Sequence, residues 1–239
     1  MTNVTEAIIL SSIKYSETSV IMKCYSEEYG ILSFIINGIR SKKRTKFSLS
    51  SIEALSIVEI EFSKLKKGEL SHLKNIKSVI IYDDLRFNII KSNIALFLSE
   101  FLSNILRFEG ENISMYMYIK DSLIHLDKIS KYENFHISFL INLLEFLGIK
   151  PEINNENYKF FDIENGIFKN LHDSNYCVGG ELVIEFKKLL GINFDQYYEI
   201  LKTTNQRRNM TNFLMKYFKF HISGFKRPNS LEILNGLFS

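Results

Sequence analysis

The sequence predicts an α+β protein, in which a small five-stranded β-barrel is packed on a C-terminal α-helical domain that contains a small β-hairpin. Residues 1–82 contain five short segments dense in Ile, Val, Phe and Tyr, separated by polar turns. From residue 83 the apolar residues recur at helical spacing instead. With 46% hydrophobic residues in 239, the chain can bury a substantial core. We therefore expect two domains, residues 1–82 and 83–239, and no linker composition separates them.

The five predicted strands lie in TEAIILSSIKY, TSVIMKCYS, GILSFIINGI, EALSIVEIEF and LKNIKSVIIY. Alternation is clearest in the fourth, where Val58, Ile60 and Phe62 should face the core while Glu59 and Glu61 face out. Five short strands with turn signals are typical of a closed barrel of the oligonucleotide-binding (OB) type. A five-stranded sandwich-like sheet is the alternative.

In the second part of the chain, the apolar spacing predicts helices on both sides of a short hairpin. Three helices are expected in NIIKSNIALFLSEFLSNILRF, SMYMYIKDSLIHLDKI and ENFHISFLINLLEFLGI, and Gly148 with Pro151 ends the third. Asn165-Gly166 is a hairpin signal at about residues 158–170. Further helices are expected in ELVIEFKKLL, FDQYYEILK and NQRRNMTNFLMKYFKFHI.

Composition predicts a reduced cytoplasmic protein. The two cysteines, Cys24 and Cys177, are far apart in sequence, which argues against a disulfide scaffold. The start, MTNVTEAIIL, lacks a basic segment before its apolar residues and does not resemble a signal peptide. Charge or amide residues interrupt every apolar run well short of about 18 residues, so we expect no membrane span.

The sequence contains none of the common catalytic or nucleotide-binding motifs. G-x-S-x-G, the P-loop, G-x-G-x-x-G and H-E-x-x-H are all missing. The five histidines are dispersed, and His172 with Cys177 is a weak match to metal-ligand spacing. We therefore expect a binding protein rather than an enzyme, with no cofactor and no metal.

The strongest local signal is a basic connection between the third and fourth strands. Residues 1–82 carry 12 Lys and Arg against 8 Asp and Glu, whereas the remaining residues carry 18 against 19. Within GIRSKKRTK (residues 38–46) no acidic residue interrupts the cations. Clustered cations of this kind bind phosphate backbones, because binding releases condensed counterions. The cations of this basic loop are Arg40, Lys42, Lys43, Arg44 and Lys46.

Aromatic residues near the basic loop predict base stacking. If Met22 and Cys24 face the core, then Lys23 and Tyr25 form a solvent-facing pair of a cation and an aromatic ring. Lys14 and Tyr15 lie at the adjacent strand end and extend the same predicted nucleic-acid surface. Three other readings of the basic loop stay open: a solubilising charge, contact with an acidic protein, or contact with a membrane surface.

The run YSETSVIMKCYSEEYGILSFIINGIRSKKRT resembles the N-terminal domain of the recombination protein O (RecO) family. The likeness lies in Ser16-Glu17-Thr18-Ser19, in Glu27-Glu28 with Gly30, and in the basic loop with Gly38, Ser41 and Thr45. IALFLSEFLSNIL, FLINLLEFLGIKP, FDIENGIF and HISGFKRPNSLEIL resemble later parts of the same family, in order, so that the likeness spans nearly the whole chain.

The resemblance implies an OB barrel joined to a helical domain, and a non-enzymatic role in DNA repair and homologous recombination. A protein of this family would bind single-stranded DNA, with duplex DNA as an open question, and would anneal complementary strands. With RecR, and through the C-terminal tail of single-strand-binding protein (SSB), it would help to load RecA onto SSB-coated DNA, in the cytoplasm at the nucleoid. An adaptor that mainly binds an acidic protein, and an RNA-binding OB protein, are the alternatives.

The sequence also departs from the family pattern. The four-cysteine zinc module of many members is reduced here to Cys177, so no zinc module is expected. Glu53-Ala54 replaces Gln-Pro after the basic loop, and Asn229 replaces a lysine. A basic pair before Phe139 is also missing, so the cations proposed for partner binding are Lys91, Lys131 and His136.

Overall fold

The computed structural model of this protein describes residues 2–41, 47–63, 71–107, 109–154, 157–191 and 197–237. The chain divides into two compact units. The first unit comprises residues 1–128 with 228–230, and the second comprises residues 129–227 with 231–239. The first two helices therefore cluster with the strands of the N-terminal third.

Five strands in the first unit form a closed barrel in the order β1-β2-β3-β5-β4, and β4 pairs with β1 to close it. All neighbours are antiparallel except β3 and β5, which are parallel. The predicted OB barrel is thus confirmed, and the sandwich alternative is wrong. The strands are β1 (Thr2–Lys14), β2 (Val20–Ser26), β3 (Gly30–Ile36), β4 (Ile57–Ser63) and β5 (Ser71–Ser78), and a 3-10 helix spans Leu49–Ile52.

Apolar side chains at every second position of the strands fill the barrel. Val58, Ile60 and Phe62 are fully buried in its core, as their spacing predicts. Met22 and Cys24 also face inward and are fully buried. Burial raises the pKa of the Cys24 thiol to about 12, so that this cysteine is a neutral packing residue.

Two helices, α1 (Ile89–Ile105) and α2 (Ile113–Lys128), belong to the same unit and cover part of the barrel's outer face. A bulge shifts the register of β1 between Ile9 and Ser11, and the Leu10 carbonyl there accepts a hydrogen bond from Ser99 Oγ of α1 at 2.6 Å. From α2, Tyr116 Oη donates to Glu6 Oε1 of β1 at 2.7 Å.

The connection from the barrel to α1 is fixed by one buried carboxylate of α2. Asp127 accepts hydrogen bonds from the backbone N–H groups of residues 83, 84 and 85 at 3.1, 2.9 and 2.7 Å. Lys91 Nζ, itself buried, donates to the Asp127 carbonyl at 2.8 Å. The Asn88 side chain caps α1 by accepting from the backbone N–H groups of Ile90 and Lys91.

The second unit surrounds an aromatic core. Phe161, on the central strand of a three-stranded antiparallel sheet, contacts Phe168, Phe186, Phe213 and Tyr217 at ring-centroid distances of 4.7 to 5.7 Å. The predicted hairpin is present as β6 and β7, whereas β8 and α7 were not predicted. The elements are α3 (Phe135–Phe146), β6 (Phe160–Asp162), β7 (Ile167–Lys169), β8 (Cys177–Gly179), α4 (Glu181–Leu190), α5 (Tyr197–Ile200), α6 (Thr204–His221) and α7 (Ser230–Leu237).

No helix in the described parts of the chain combines the length and the apolar composition that a bilayer crossing needs.

We predict that Asp127→Ala lowers the free energy of unfolding by about 3 kcal/mol, because three backbone donors lose a charged acceptor. Asp127→Asn should cost less, since its side-chain oxygen can still accept. Urea denaturation measures both changes. Asp121→Ala, an exposed site on the same helix, is the matched control and should change stability little. Equal stability of the Asp127→Ala variant and the wild type would contradict this role.

The same carboxylate should make stability depend on acidic pH. Burial raises the pKa of Asp127, but its backbone hydrogen bonds and Lys91 outweigh burial and hold that pKa below its usual value. With a folded-state pKa below the unfolded value of about 3.9, its stabilisation is complete above that value and is lost as pH falls through the folded pKa. Urea midpoints measured from pH 6 downward should therefore fall less steeply in Asp127→Asn than in wild type. Parallel curves would contradict the assignment.

Candidate nucleic-acid interface

The basic loop leaves the barrel between two apolar anchors. Ile39, just after β3, is 5% exposed and belongs to the barrel core. Phe47, where the described chain resumes, packs against the same core. Of the predicted cations between these anchors, Arg40 is exposed, and Lys42, Lys43, Arg44 and Lys46 lie outside the described residues. The sequence thus places five cations on a connection whose two ends are held by the barrel.

The turn between β1 and β2 contacts the start of the basic loop. The backbone N–H of Arg40 donates to the Thr18 carbonyl at 3.1 Å, and Ser19 Oγ donates to Asn37 Oδ1 at 3.0 Å. Gly38, with φ of +75°, allows the chain to turn there. Lys14 and Tyr15 are exposed in the same turn region, and Tyr15 is 61% exposed. The structure therefore brings Lys14, Tyr15 and Arg40 to one end of the barrel.

The prediction that Tyr25 faces solvent is wrong. Tyr25 does point out of the barrel, but its relative exposure is 0% because the helices of the first unit cover it. Its ring lies 6.1 Å from that of Tyr116 in α2, and its hydroxyl donates to the Asn112 carbonyl at 3.4 Å. Burial raises the pKa of Tyr25 to about 12, and the charge of Glu109 acts in the same direction.

Lys23, the predicted partner of Tyr25, lies at the edge of this covered face. It is half-buried, and its Nζ donates to the Ser103 carbonyl near the end of α1 at 2.9 Å. Burial lowers the pKa of Lys23, and the charge of Arg107 lowers it further. Lys23 is thus engaged by a helix end, where a cation is favourable, and the predicted solvent-facing pair does not form.

Two of the three cations assigned to partner binding are buried. Lys91 is 1% exposed and forms an ion pair with Asp84 at 2.8 Å. In the second unit, His136 is 3% exposed, and its Nε2 lies 3.1 Å from Thr211 Oγ1. Burial, together with the charge of Arg207, lowers the pKa of His136 to about 3, which keeps it neutral. Lys131 is exposed.

A cluster of potential metal ligands in the second unit already holds a cation of the protein itself. Ligand atoms of Asp162, Asp173 and Cys177 lie within 4.8 Å of one another, and no other such group occurs in the described parts of the chain. Lys169 Nζ sits among them, 2.6 Å from Asp162 and 2.5 Å from Asp173. These ion pairs satisfy the carboxylates without a metal. His172 stacks edge-on against the ring of Phe160 instead.

Sequence reasoning missed the pair of Arg86 and Glu53. Arg86, just before α1, forms an ion pair with Glu53 and donates to Ser56 Oγ at 2.6 Å. The negative charge that Glu53 adds near the basic loop is therefore balanced. No periodic pattern in the sequence pairs two residues this far apart. Phe87 is 84% exposed.

Asn229 and Ser230 both bind one carboxylate. Asn229 is the position where the sequence departs from the family's tail pattern. The backbone N–H groups of both residues donate to Glu100 at 2.9 Å, and Ser230 Oγ donates at 2.6 Å. The contact at Asn229 uses its backbone, so it does not require the lysine of the family pattern.

Comparison with known proteins agrees with this architecture. The model for the recombination protein O N-terminal domain matches residues 1–82, and that for the C-terminal domain matches residues 86–231. The chain is 33% identical to the DNA repair protein RecO of Christiangramia forsetii and 32% identical to that of Flavobacterium psychrophilum. It is 31% identical to that of Bacteroides fragilis, and each alignment covers 98% of both chains. The chain therefore belongs to the recombination protein O family, whose relatives here are named as DNA repair proteins.

Proposed function

We propose that this protein is a non-enzymatic mediator of recombinational DNA repair, which binds single-stranded DNA through the end of its barrel and anneals complementary strands. The observation that carries the proposal is the anchored basic loop beside Lys14 and Tyr15. Ile39 belongs to the barrel core and Phe47 packs against it, so that the described residues on both sides of the cations are held by the barrel. Membership of the family supports the DNA repair role.

The proposed mechanism is electrostatic. The loop cations neutralise the phosphates of two strands, which reduces the repulsion that keeps the strands apart. Tyr15, 61% exposed beside the loop, provides a face on which a base can stack. No covalent step is needed, because annealing exchanges protein contacts for base pairs.

We also propose the partners. RecR and the C-terminal tail of SSB would bind this protein, and together they would help RecA to load onto SSB-coated single strands. Of the cations considered for partner binding, Lys131 is the exposed one and is the candidate contact for the acidic tail. Duplex DNA would bind through the same phosphate contacts, since these do not depend on base sequence.

We predict that alanine at all five loop cations abolishes most of the affinity for a fluorescent single strand of about 30 nucleotides. If all five contact phosphates, log K of the wild type should fall with log salt with a slope of roughly 3 to 4, and the variant should lose that slope. Fluorescence anisotropy across a salt series measures both quantities. Strand annealing should fall in parallel.

The matched control removes five exposed cations from the second unit. It should keep the affinity and the slope nearly unchanged, because it lowers the net charge equally but leaves the loop intact. Equal losses of affinity in both variants would show that net charge, and not the position of the loop cations, determines DNA binding. Unchanged binding in the loop variant would instead assign the loop to an acidic protein partner. The control carries alanine at Lys159, Lys202, Arg208, Lys216 and Lys219.

We predict opposite results for the two tyrosines. Tyr15→Ala should weaken single-strand binding about tenfold, because one stacking contact contributes about 1–3 kcal/mol. Tyr25→Phe should leave binding unchanged, since the buried ring cannot reach a base and loses only a weak hydrogen bond. Anisotropy titrations at one salt concentration compare them. Weaker binding by Tyr25→Phe at unchanged melting temperature would show that the covered face opens to DNA.

A further inference from the structure

A groove of about 800 Å³ lies in the first unit, between the segment that follows the basic loop and the start of α1. This volume is within the usual range for ligand sites. We call it the Phe87 groove. Its lining comes from the segments 48–56, 78–87 and 92–96, and includes Ser48, Ser50, Ser78, Ile81, Phe87 and Leu96.

The lining of the groove includes large apolar side chains that are exposed to solvent. Phe87 and Ile81 are each 84% exposed, and Leu96 is 45% exposed. Single exposed apolar residues are ordinary, but several around one concave surface mark a place where something binds. Phe87 is the flat member of this group. Its ring is not needed for the core of the described chain, since the neighbouring Leu85 is the residue that packs inside.

The polar residues of the lining include no uncompensated acid. Ser48, Ser50 and Ser78 are exposed there and offer hydroxyl groups that can both donate and accept. The carboxylate of Glu53 is paired with Arg86. A ligand with a flat apolar face and a hydrogen-bonding edge suits this mixed lining better than a purely aliphatic peptide does. Nucleobases have this chemistry, because every base has a stacking face and polar edges.

The position of the groove connects it to the basic loop. Ser48 comes two residues after Lys46, and Phe47 between them packs against the barrel core. Ser48 and Ser50 of the lining therefore follow the segment that carries the cations within a few residues. A strand whose phosphates are held by the loop would thus have part of the groove next to it along the chain. An anionic partner is favoured here, because the adjoining loop contributes five positive charges.

We infer that the Phe87 groove receives unstacked bases of single-stranded DNA, with Phe87 as the stacking platform and the serine hydroxyl groups contacting base edges. This inference rests on the proposed function, because it assigns a base subsite to the strand that the basic loop holds. Binding at this base subsite differs from the phosphate contacts in one measurable way. Stacking depends on the bases, whereas counterion release does not.

The test uses the full-length protein and compares Phe87→Ala with Phe87→Tyr. Phe87→Ala should weaken binding of an oligothymidine about tenfold, and Phe87→Tyr should bind within about twofold of wild type, because it keeps an aromatic ring. Since no phosphate contact is lost, the salt slope should not change. Ile89→Ala is the matched control: Ile89 is 70% exposed beside Phe87 but does not line the groove, and its removal should leave affinity unchanged.

A second arm repeats the titrations with an abasic oligonucleotide of the same length, which keeps the phosphates and lacks the bases. Phe87→Ala and wild type should bind this strand equally. A tenfold loss with the abasic strand as well would overturn the inference, because the effect would not come from a base. Melting temperatures close to that of wild type are expected for all three variants, since these side chains are exposed.

The outcomes separate this inference from the proposed function. If Phe87→Ala binds oligothymidine as wild type does while the five-cation variant loses binding, the groove assignment is overturned and the phosphate proposal remains. If wild type binds no single strand, both fall. A protein occupant would show itself as unchanged DNA affinity in Phe87→Ala together with loss of RecR binding, and that result would also overturn the base assignment.

Discussion

The hydrogen bond between Ser99 and the Leu10 carbonyl marks the constraint on which the first unit depends. A bulge in β1 leaves this carbonyl outside the regular ladder, and a buried carbonyl without a partner is costly. α1 supplies the partner, and in doing so it covers one outer face of the barrel. α2 covers the barrel as well, so that β2 is packed on both sides: Met22 and Cys24 face the core, and the outward-facing Tyr25 contacts Tyr116 of α2. The ends of the barrel and its connections remain for a ligand.

This arrangement separates stability from binding. The barrel is closed by strand pairing, and the basic loop adds two anchors, Ile39 and Phe47, but no described part of the core depends on its charges. Removing those charges should therefore leave the fold intact. Asp127 instead stabilises the fold, because it binds the connection at residues 83–85. Variants of the two regions should thus divide cleanly into DNA-binding and stability effects.

Sequence patterns correctly predicted the side-chain positions that depend on local spacing. They failed for residues that are buried by elements far away in the sequence. The period of two placed Val58, Ile60 and Phe62 inside, and the sequence located the five barrel strands and the basic connection. The same period gave the direction of Tyr25 correctly but could not reveal that Asn112, 87 residues away, and the helix that follows it would cover the ring. His136 failed for the same reason, because burial beside Thr211 removes its charge. The pair of Arg86 and Glu53 joins residues 33 apart and leaves no periodic signal.

Annealing limits how tightly a protein can hold bases. The proposed contacts meet that limit, because most are made to phosphates and few to bases. Bases that pair with a second strand must leave the protein, so extensive base contacts would oppose the reaction. Phosphates stay outside the product duplex and can remain bound while pairing proceeds. Under this proposal, a surface with five loop cations and few aromatic faces, Tyr15 and Phe87, would hold strands mainly by charge and would keep most bases available. On this argument, adding stacking residues around the groove would strengthen single-strand binding while slowing annealing.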